Sequence, residues 1–479
     1  MPAAPPVTVD FSKKWMVLAT VGSGVLLATI GSSIVNVALP TITHEFDTTF
    51  RAIQWVPLAY VLVMATLTLG TGRLGDIVGK KRIYTSGFAL FTIASALCGL
   101  STSVAMLVGF RILQAIGAVM IISLGAAILT EAFPASERGK ALGFIGTFVS
   151  IGIITGPAVG GVLISFYDWR SIFLVNIPVG VVGVLLAIRH VPNTPPVPNQ
   201  RIDLPGMLLL SGALLSFSYA VTRGQEAGFT DSLNLTLFAM AAVLFTVWIL
   251  VERRAPSPMI RLDLFRNPML SVSVATGFMM FTLVAPLVFL MPFYLEGVLG
   301  YDIRTVGLLL GAMPLTIGIV APMAGALSDR IGIRKLTVSG LVIVTIAFLG
   351  FQALTDSTRW WQYVLITVPL GLGMGTFQSP NNSAIMGSMP REYAGLGAGV
   401  LTITRLLGQV TGISAVGSLW ASRVASIAGP QYAGDASSAP GAAQVAALRD
   451  VFLWGVALMG VALVIGVYGL AKERELRRA

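Results

Sequence analysis

Two arginines stand where charge is expensive. Arg111 and Arg405 interrupt long apolar runs, and each has a glutamine within about one turn, Gln114 and Gln409. Hydrocarbon offers neither water nor counter-charge, so a guanidinium at that depth faces a cavity or a partner. Amides interrupt other apolar runs at Asn36, Gln378, Asn381 and Asn382. Bonding between helices and contact with a polar cargo are both open to them. Of the 21 acids none falls deep in a run: Asp76 and Asp329 sit in short loops, Glu131 and Glu252 at run ends, and Glu296 at the end of another. No nucleophile–base pair and no metal-ligand set can be read from the sequence, so no cofactor is expected. No phosphate loop GxxxxGK[ST] is present, which argues against ATP drive through this chain.

The elements that must position these groups are membrane helices. The chain has 479 residues, 55% hydrophobic and only 11% charged, with mean hydropathy +0.84. A soluble protein carries about 25% charged residues. A bilayer core takes about 20 apolar residues per helix, and on that rule fourteen spans run from 15–40 to 451–471. The net charge of +10 does not point to nucleic acid, because the bases lie in short loops between spans. With the N-terminus inside, roughly 22 of the 31 bases fall on the cytoplasmic side, which places both termini there. The single cysteine, Cys98, excludes an intrachain disulfide. The first apolar run reads as a retained span rather than a signal peptide. The stretch 421–450, rich in Ala, Gly and Ser, reads as a flexible outer loop.

One motif occurs twice. Gly72–Arg82 reads GRLGDIVGKKR and Gly325–Lys335 reads GALSDRIGIRK. Each joins two spans, and an internal repeat marks a duplicated architecture. The copies are separated by eight spans where two six-span halves would give six. Two spans are therefore inserted. The resulting organisation is a tail at 1–14, a first half at 15–190, a linker with two inserted helices at 191–268, a second half at 269–471 and a tail at 472–479. Within the motif Gly72, Gly75, Gly79, Gly325 and Gly332 permit close turns. Asp76 is placed to cap the next helix, Asp329 is its counterpart, and Lys80, Lys81 and Arg82 suit an anionic membrane face. Together they read as a conformational latch. Gly152, Gly156, Gly160 and Gly161 give small-residue spacing for close helix contact, and Pro157 removes one helix hydrogen bond and can bend its span.

These stretches resemble the major facilitator superfamily and, within it, the fourteen-span drug:proton antiporters. Besides the repeated loop, the resemblance rests on IVNVALPTI at 34–42, LVGFRILQAIGA at 107–118, GIITGPAVGG at 152–161, WRSIFLVNIPVG at 169–180 and RLDLFRNP at 261–268. It implies an all-α polytopic fold and alternating access to a cavity between two halves. It further implies export of drug-like or amphiphilic molecules from the cell membrane in exchange for protons, by a single chain bathed in lipid. One position departs from the pattern. Gly31 stands where that family usually carries an aspartate in span 1. Glu296 is then the best remaining acid for coupling, although its place at a span end also suits an outer-surface residue. Arg111, without a carboxylate, is expected to favour anionic cargo. The alternatives are an uncoupled exporter of anionic amphiphiles or lipids, and, from another class, a membrane receptor, for which the tail AKERELRRA supplies no signalling domain.

Overall fold

The computed structural model describes residues 13–134, 137–193, 202–255, 258–389 and 394–478. Most of the proline-rich linker and of the N-terminal tail lies outside them. The described chain is helical. We number the long helices α1 Lys14–Glu45, α2 Phe50–Val78, α3 Lys80–Gly99, α4 Val104–Ala132, α5 Arg138–Phe166, α6 Ser171–His190, α7 Leu204–Ala227 and α8 Ser232–Arg254. There follow α9 Pro268–Val298, α10 Ile303–Ile331, α11 Ile333–Ala353, α12 Trp360–Gly387, α13 Gly397–Ala428 and α14 Gly441–Arg478. Among the described residues 12 helices are long and apolar enough to cross a membrane. The other two are α3, which opens on Lys80, Lys81 and Arg82, and α12, which carries three prolines or asparagines in the row Pro380, Asn381, Asn382. Their polar residues lower their hydropathy, yet both are packed against neighbours along their length.

Local chemistry sets the helix starts. Ser103 accepts from the amide of Met106, Asp203 from Gly206 and Asn267 from Met269. Each such cap satisfies an amide that helix geometry leaves open and contributes about 1 kcal/mol. Asp302 caps α10 in the same way, and its hydrogen bonds from Thr305 hold its carboxyl below the usual aspartate range.

The duplication is visible in which helices touch. In the first six, α1 packs on α5 and α6, and α4 packs on α2 and α3. In the last six, α9 packs on α13 and α14, and α12 packs on α10 and α11. Even the closest approaches correspond. A side chain on Gly117 of α4 would meet the Phe91 amide of α3 at 2.6 Å, and one on Gly340 of α11 would meet the Phe377 amide of α12 at 2.7 Å. The two loop motifs share a backbone. Gly79 has φ 107° and ψ 125°, and Gly332 has φ 101° and ψ 138°. That region disfavours any residue with a Cβ.

The remaining pair, α7 and α8, lies on the perimeter. It packs on α2 and α13, with Trp55 and Tyr219 rings 6.3 Å apart. The outer face of α8 is left bare at Leu235, Val243 and Leu250. The stretch expected to be a flexible loop is instead short. α13 continues to Ala428 and α14 begins at Gly441. Between them Ala436 is fully buried, and Asp435 accepts from the Phe50 amide at 3.3 Å. Its small residues fit a tight joint rather than a mobile one.

Valine at Gly79 or at Gly332 should lower stability by about 1–3 kcal/mol, seen as a fall in the unfolding temperature of the purified protein. Valine at Gly72, which has nothing within 4 Å of its missing side chain, should leave that temperature unchanged.

Candidate functional site

The space between the two halves is sealed at one end. We call this the far end, opposite the Gly79 and Gly332 turns. There Phe50, from the start of α2, inserts between Phe289, Phe293 and Trp420, with ring centroids 5.2, 5.2 and 4.7 Å away. Gln54 donates to the carbonyl of Ile413, and Gln225 of α7 donates to Gln54 at 2.9 Å and to Ser418 at 2.7 Å. Arg51 pairs with Glu226. On the other side of the molecule α5 meets α10 backbone to backbone. A Cβ on Gly161 would lie 2.6 Å from the Ile303 carbonyl, and one on Gly307 would strike the carbonyl of Pro157. Towards the turn end α5 is free of such contact: nothing lies within 4 Å of a Cβ placed on Gly143 or Gly146.

The span 5 glycines thus serve two neighbours. Side chains on Gly152, Gly156 and Gly160 would collide with Thr29, Ser33 and Ile34 of α1, while Gly161 faces the second half. Ser33 also donates to the Gly152 carbonyl at 3.1 Å. The helix runs unbroken through Pro157, so the bend expected there does not interrupt it.

Arg111 is fully buried inside the first half. Its Nη1 donates to the Gly31 carbonyl at 3.0 Å and to Gln114 Oε1 at 2.5 Å, and its guanidinium lies 4.1 Å from the Tyr60 ring centroid. Gln114 continues the chain to Ser95 at 2.7 Å, and Ser95 donates to the Phe91 carbonyl. Nε of Arg111 has no partner among the described residues. The arginine is therefore held by dipoles and a ring face, without a carboxylate and without reaching open space. Gly31 joins this network through its carbonyl, which no sequence pattern announces. A Cβ there would lie 2.7 Å from Cζ of Phe91, so an aspartate at 31 requires that ring to move.

Glu296 is more buried than a surface residue. It lies on a π-helical turn, Phe293–Val298, at the end of α9. Oε1 accepts from Thr41 of α1, in the opposite half, at 3.3 Å. Oε2 is buried and has no partner. His44 lies one turn on from Thr41 along α1.

The other polar candidates divide. Asn381 is buried and donates to the Ser273 carbonyl at 3.1 Å. Asn36 is half-buried on α1, about 140° around the helix from Thr41 and so away from that contact. Gln378 and Asn382 extend the stripe of Gly371 and Gly375, whose missing side chains would meet Thr316 and Val320 of α10. They are half-exposed, with no hydrogen bond reaching them among the described residues. Arg405 and Gln409 of α13 share that state.

The two loop copies are not equally engaged. Lys80 binds Asp76 at 3.0 Å and Glu131 of α4 at 2.5 Å. Asp76 thus pairs with a lysine of the next helix rather than capping its amides. Asp329 is exposed, and no hydrogen bond or ion pair reaches it among the described residues. Lys81 is half-exposed and Arg82 exposed. A side chain on Gly75 would strike Leu124, and one on Gly325 would lie 2.7 Å from Ser379 Oγ.

Leucine at Gln114 removes one acceptor from a buried guanidinium. Breaking such a bond costs about 1–3 kcal/mol, so the unfolding temperature should fall, whereas Gln114→Glu should hold it or raise it. An unchanged temperature in Gln114→Leu would contradict the network.

Comparison with known proteins agrees with this architecture. A family model for the Major Facilitator Superfamily matches residues 21–413. A riboflavin transporter of Clostridioides difficile is 36% identical over 412 residues, covering 85% of this chain and 89% of that one. The multidrug resistance protein Stp of Mycobacterium tuberculosis is 33% identical over 408 residues, covering 85% and 76%. In Streptomyces glaucescens a tetracenomycin C resistance and export protein is 29% identical, covering 91% and 82%. Among solved structures, a bacterial homolog of the human lysosomal transporter Spinster, inward-facing and unoccupied, shares the fold with TM-score 0.67 at 17% identity, covering 98% of each chain. The chain belongs to the Major Facilitator Superfamily and is a multi-pass transporter of the cell membrane.

Proposed function

We propose that the protein is a fourteen-span exporter of amphiphilic small molecules that works by alternating access and is driven by protons. Its halves are 15–190 and 269–471, with α7 and α8 inserted between them. The observation that carries this reading is the unequal closure of the two ends. One end is locked by Phe50, Gln54 and the Gly161–Gly307 contact, while towards the other α5 has nothing within 4 Å of a Cβ placed on Gly143 or Gly146. With the basic loops placed on the cytoplasmic side, as their charge favours, we read this as an inward-facing state. The names of the relatives, which include resistance and export proteins, favour outward transport of organic compounds. They also include a riboflavin transporter, which keeps the direction a matter for experiment. The Asp76–Lys80–Glu131 cluster is proposed to brace the cytoplasmic face of the first half while Asp329 awaits a partner in the other state.

Glu296 is proposed as the coupling acid. A neutral carboxyl fits a closed seam, where one oxygen has a single hydroxyl donor and the other has none. An ionised one is costly there and gains water when the seam opens. Proton capture from outside then favours closure, and loss of the proton favours reopening. The competing reading, an uncoupled exporter, is favoured by Gly31, whose position holds a backbone carbonyl and no acid.

Proteoliposomes with an imposed pH gradient separate the two. Uphill flux of a fluorescent amphiphile is expected in the wild type. In Glu296→Gln uphill flux is lost while downhill flux stays within about twofold. Uphill flux that survives in Glu296→Gln would remove this residue from coupling. Flux in the wild type that ignores the gradient would support the uncoupled reading.

A further inference from the structure

We propose that Arg405, with Gln409 one turn on, forms a contact for an anionic group of the transported molecule. This inference rests on the export reading and names a substrate class for it. α13 is held on three sides. Gly408 and Gly412 lie against the Phe278 and Thr282 carbonyls of α9. Gly399 meets Leu69 and Gly417 meets Gln54, both of α2. Ile403 belongs to a cluster with Leu210 and Trp248 of the perimeter pair, and Leu407 packs on it. Arg405 follows Ile403 by two residues, and Gln409 follows Leu407 by two. Both therefore project about 160° away from the perimeter pair, between the face of α13 that meets α9 and the face that meets α2 of the other half.

The charge on that face has no counterpart. Arg405 is half-buried and makes no hydrogen bond or ion pair among the described residues. It stands roughly 12 Å along the helix from Gly397, well inside the bilayer. Arg111 differs in every respect: it is sealed in the first half and spends its donors on Gly31 and Gln114. The buried carboxylates of this region are also committed elsewhere. Glu296 sits in the far-end seam, and Glu252 accepts from the Ile260 amide beyond the end of α8. A guanidinium presents a planar fork of donors that fits carboxylate, sulfonate or phosphate oxygens. Gln409, one turn on along the same helix, adds an amide donor that has no partner among the described residues. The anionic site expected at Arg111 thus moves to Arg405.

The test uses the full chain in lipid nanodiscs, with carboxyfluorescein as the anionic probe and ethidium as the cationic one. Binding is read by fluorescence polarisation, and folding by elution profile and unfolding temperature. Arg405→Gln should weaken carboxyfluorescein binding about tenfold or more, leave ethidium binding within about twofold, and be rescued in part by Arg405→Lys. A wild type that does not bind carboxyfluorescein overturns the inference. So does an Arg405→Gln variant that loses neither probe, or loses both equally. Flux of the same probes in proteoliposomes reports separately on export. Uphill ethidium flux without carboxyfluorescein binding leaves the export reading standing and removes the anion site. Selective carboxyfluorescein binding with no uphill flux of either probe supports the anion site and removes the export reading.

Discussion

The structure depends on backbones brought together without side chains between them. At the far end Gly161 of α5 lies against Ile303 and Gly307 of α10, so close that a Cβ on either would collide with main chain. Such a contact is made of dispersion and shape. Separating it orphans few polar groups, and lipid or water can fill the gap at modest cost. The same economy does not hold within each half. There the glycine contacts of α1 with α5, and of α3 with α4, are joined by buried polar chains such as Arg111–Gln114–Ser95. Opening those would strand a charge. We propose that each half moves as a body, the seam between them being where motion costs least. Polar ties also cross the seam, among them Gln54 to Ile413, Thr41 to Glu296, Phe50 to Asp435, and Arg51 to Glu226 of the perimeter pair.

The placement of charge follows from this division. Within the first half a guanidinium is permanent structure, satisfied by carbonyl, amide and ring. Arg405 of α13 has no hydrogen bond or ion pair among the described residues. Glu296 lies on the seam itself, on a π-helical turn, where one carboxyl oxygen accepts from Thr41 of the opposite half. Three ionisable groups at membrane depth thus occupy three environments, and residue type alone would not have told them apart.

The sequence made the duplication legible because the repeated loop imposes an unusual backbone. Gly79 and Gly332 adopt nearly the same positive-φ geometry, and no other residue serves as well. The apolar runs were legible because a bilayer demands them. Partnering was not. The role of Gly31 is played by its carbonyl, which its side chain could not reveal. The Gly152–Gly161 stripe announced close contact but not that it splits between α1 and α10. Asp76 looked like a cap because it precedes a helix, and it pairs with Lys80 because that helix starts so close behind it. Glu296 looked like a surface acid because a span ends there, yet the opposite half covers it. Arg405 and Gln409 were visible as an i, i+4 pair, and only the contacts of the other three faces of α13 fixed where they point.

The central claim is that the two halves move as bodies about this seam, opening one end as the other closes. Cys98 is the only cysteine and is buried, so exposed labelling sites can be introduced singly in pairs. Distances between spin labels should be measured across the α5–α10 seam, with Phe166→Cys and Arg304→Cys at the far end and Leu142→Cys and Leu327→Cys at the turn end. When pH or ligand is changed, the account predicts that the far-end distance lengthens as the turn-end distance shortens. Distances that stay fixed, or that lengthen together at both ends, would contradict it.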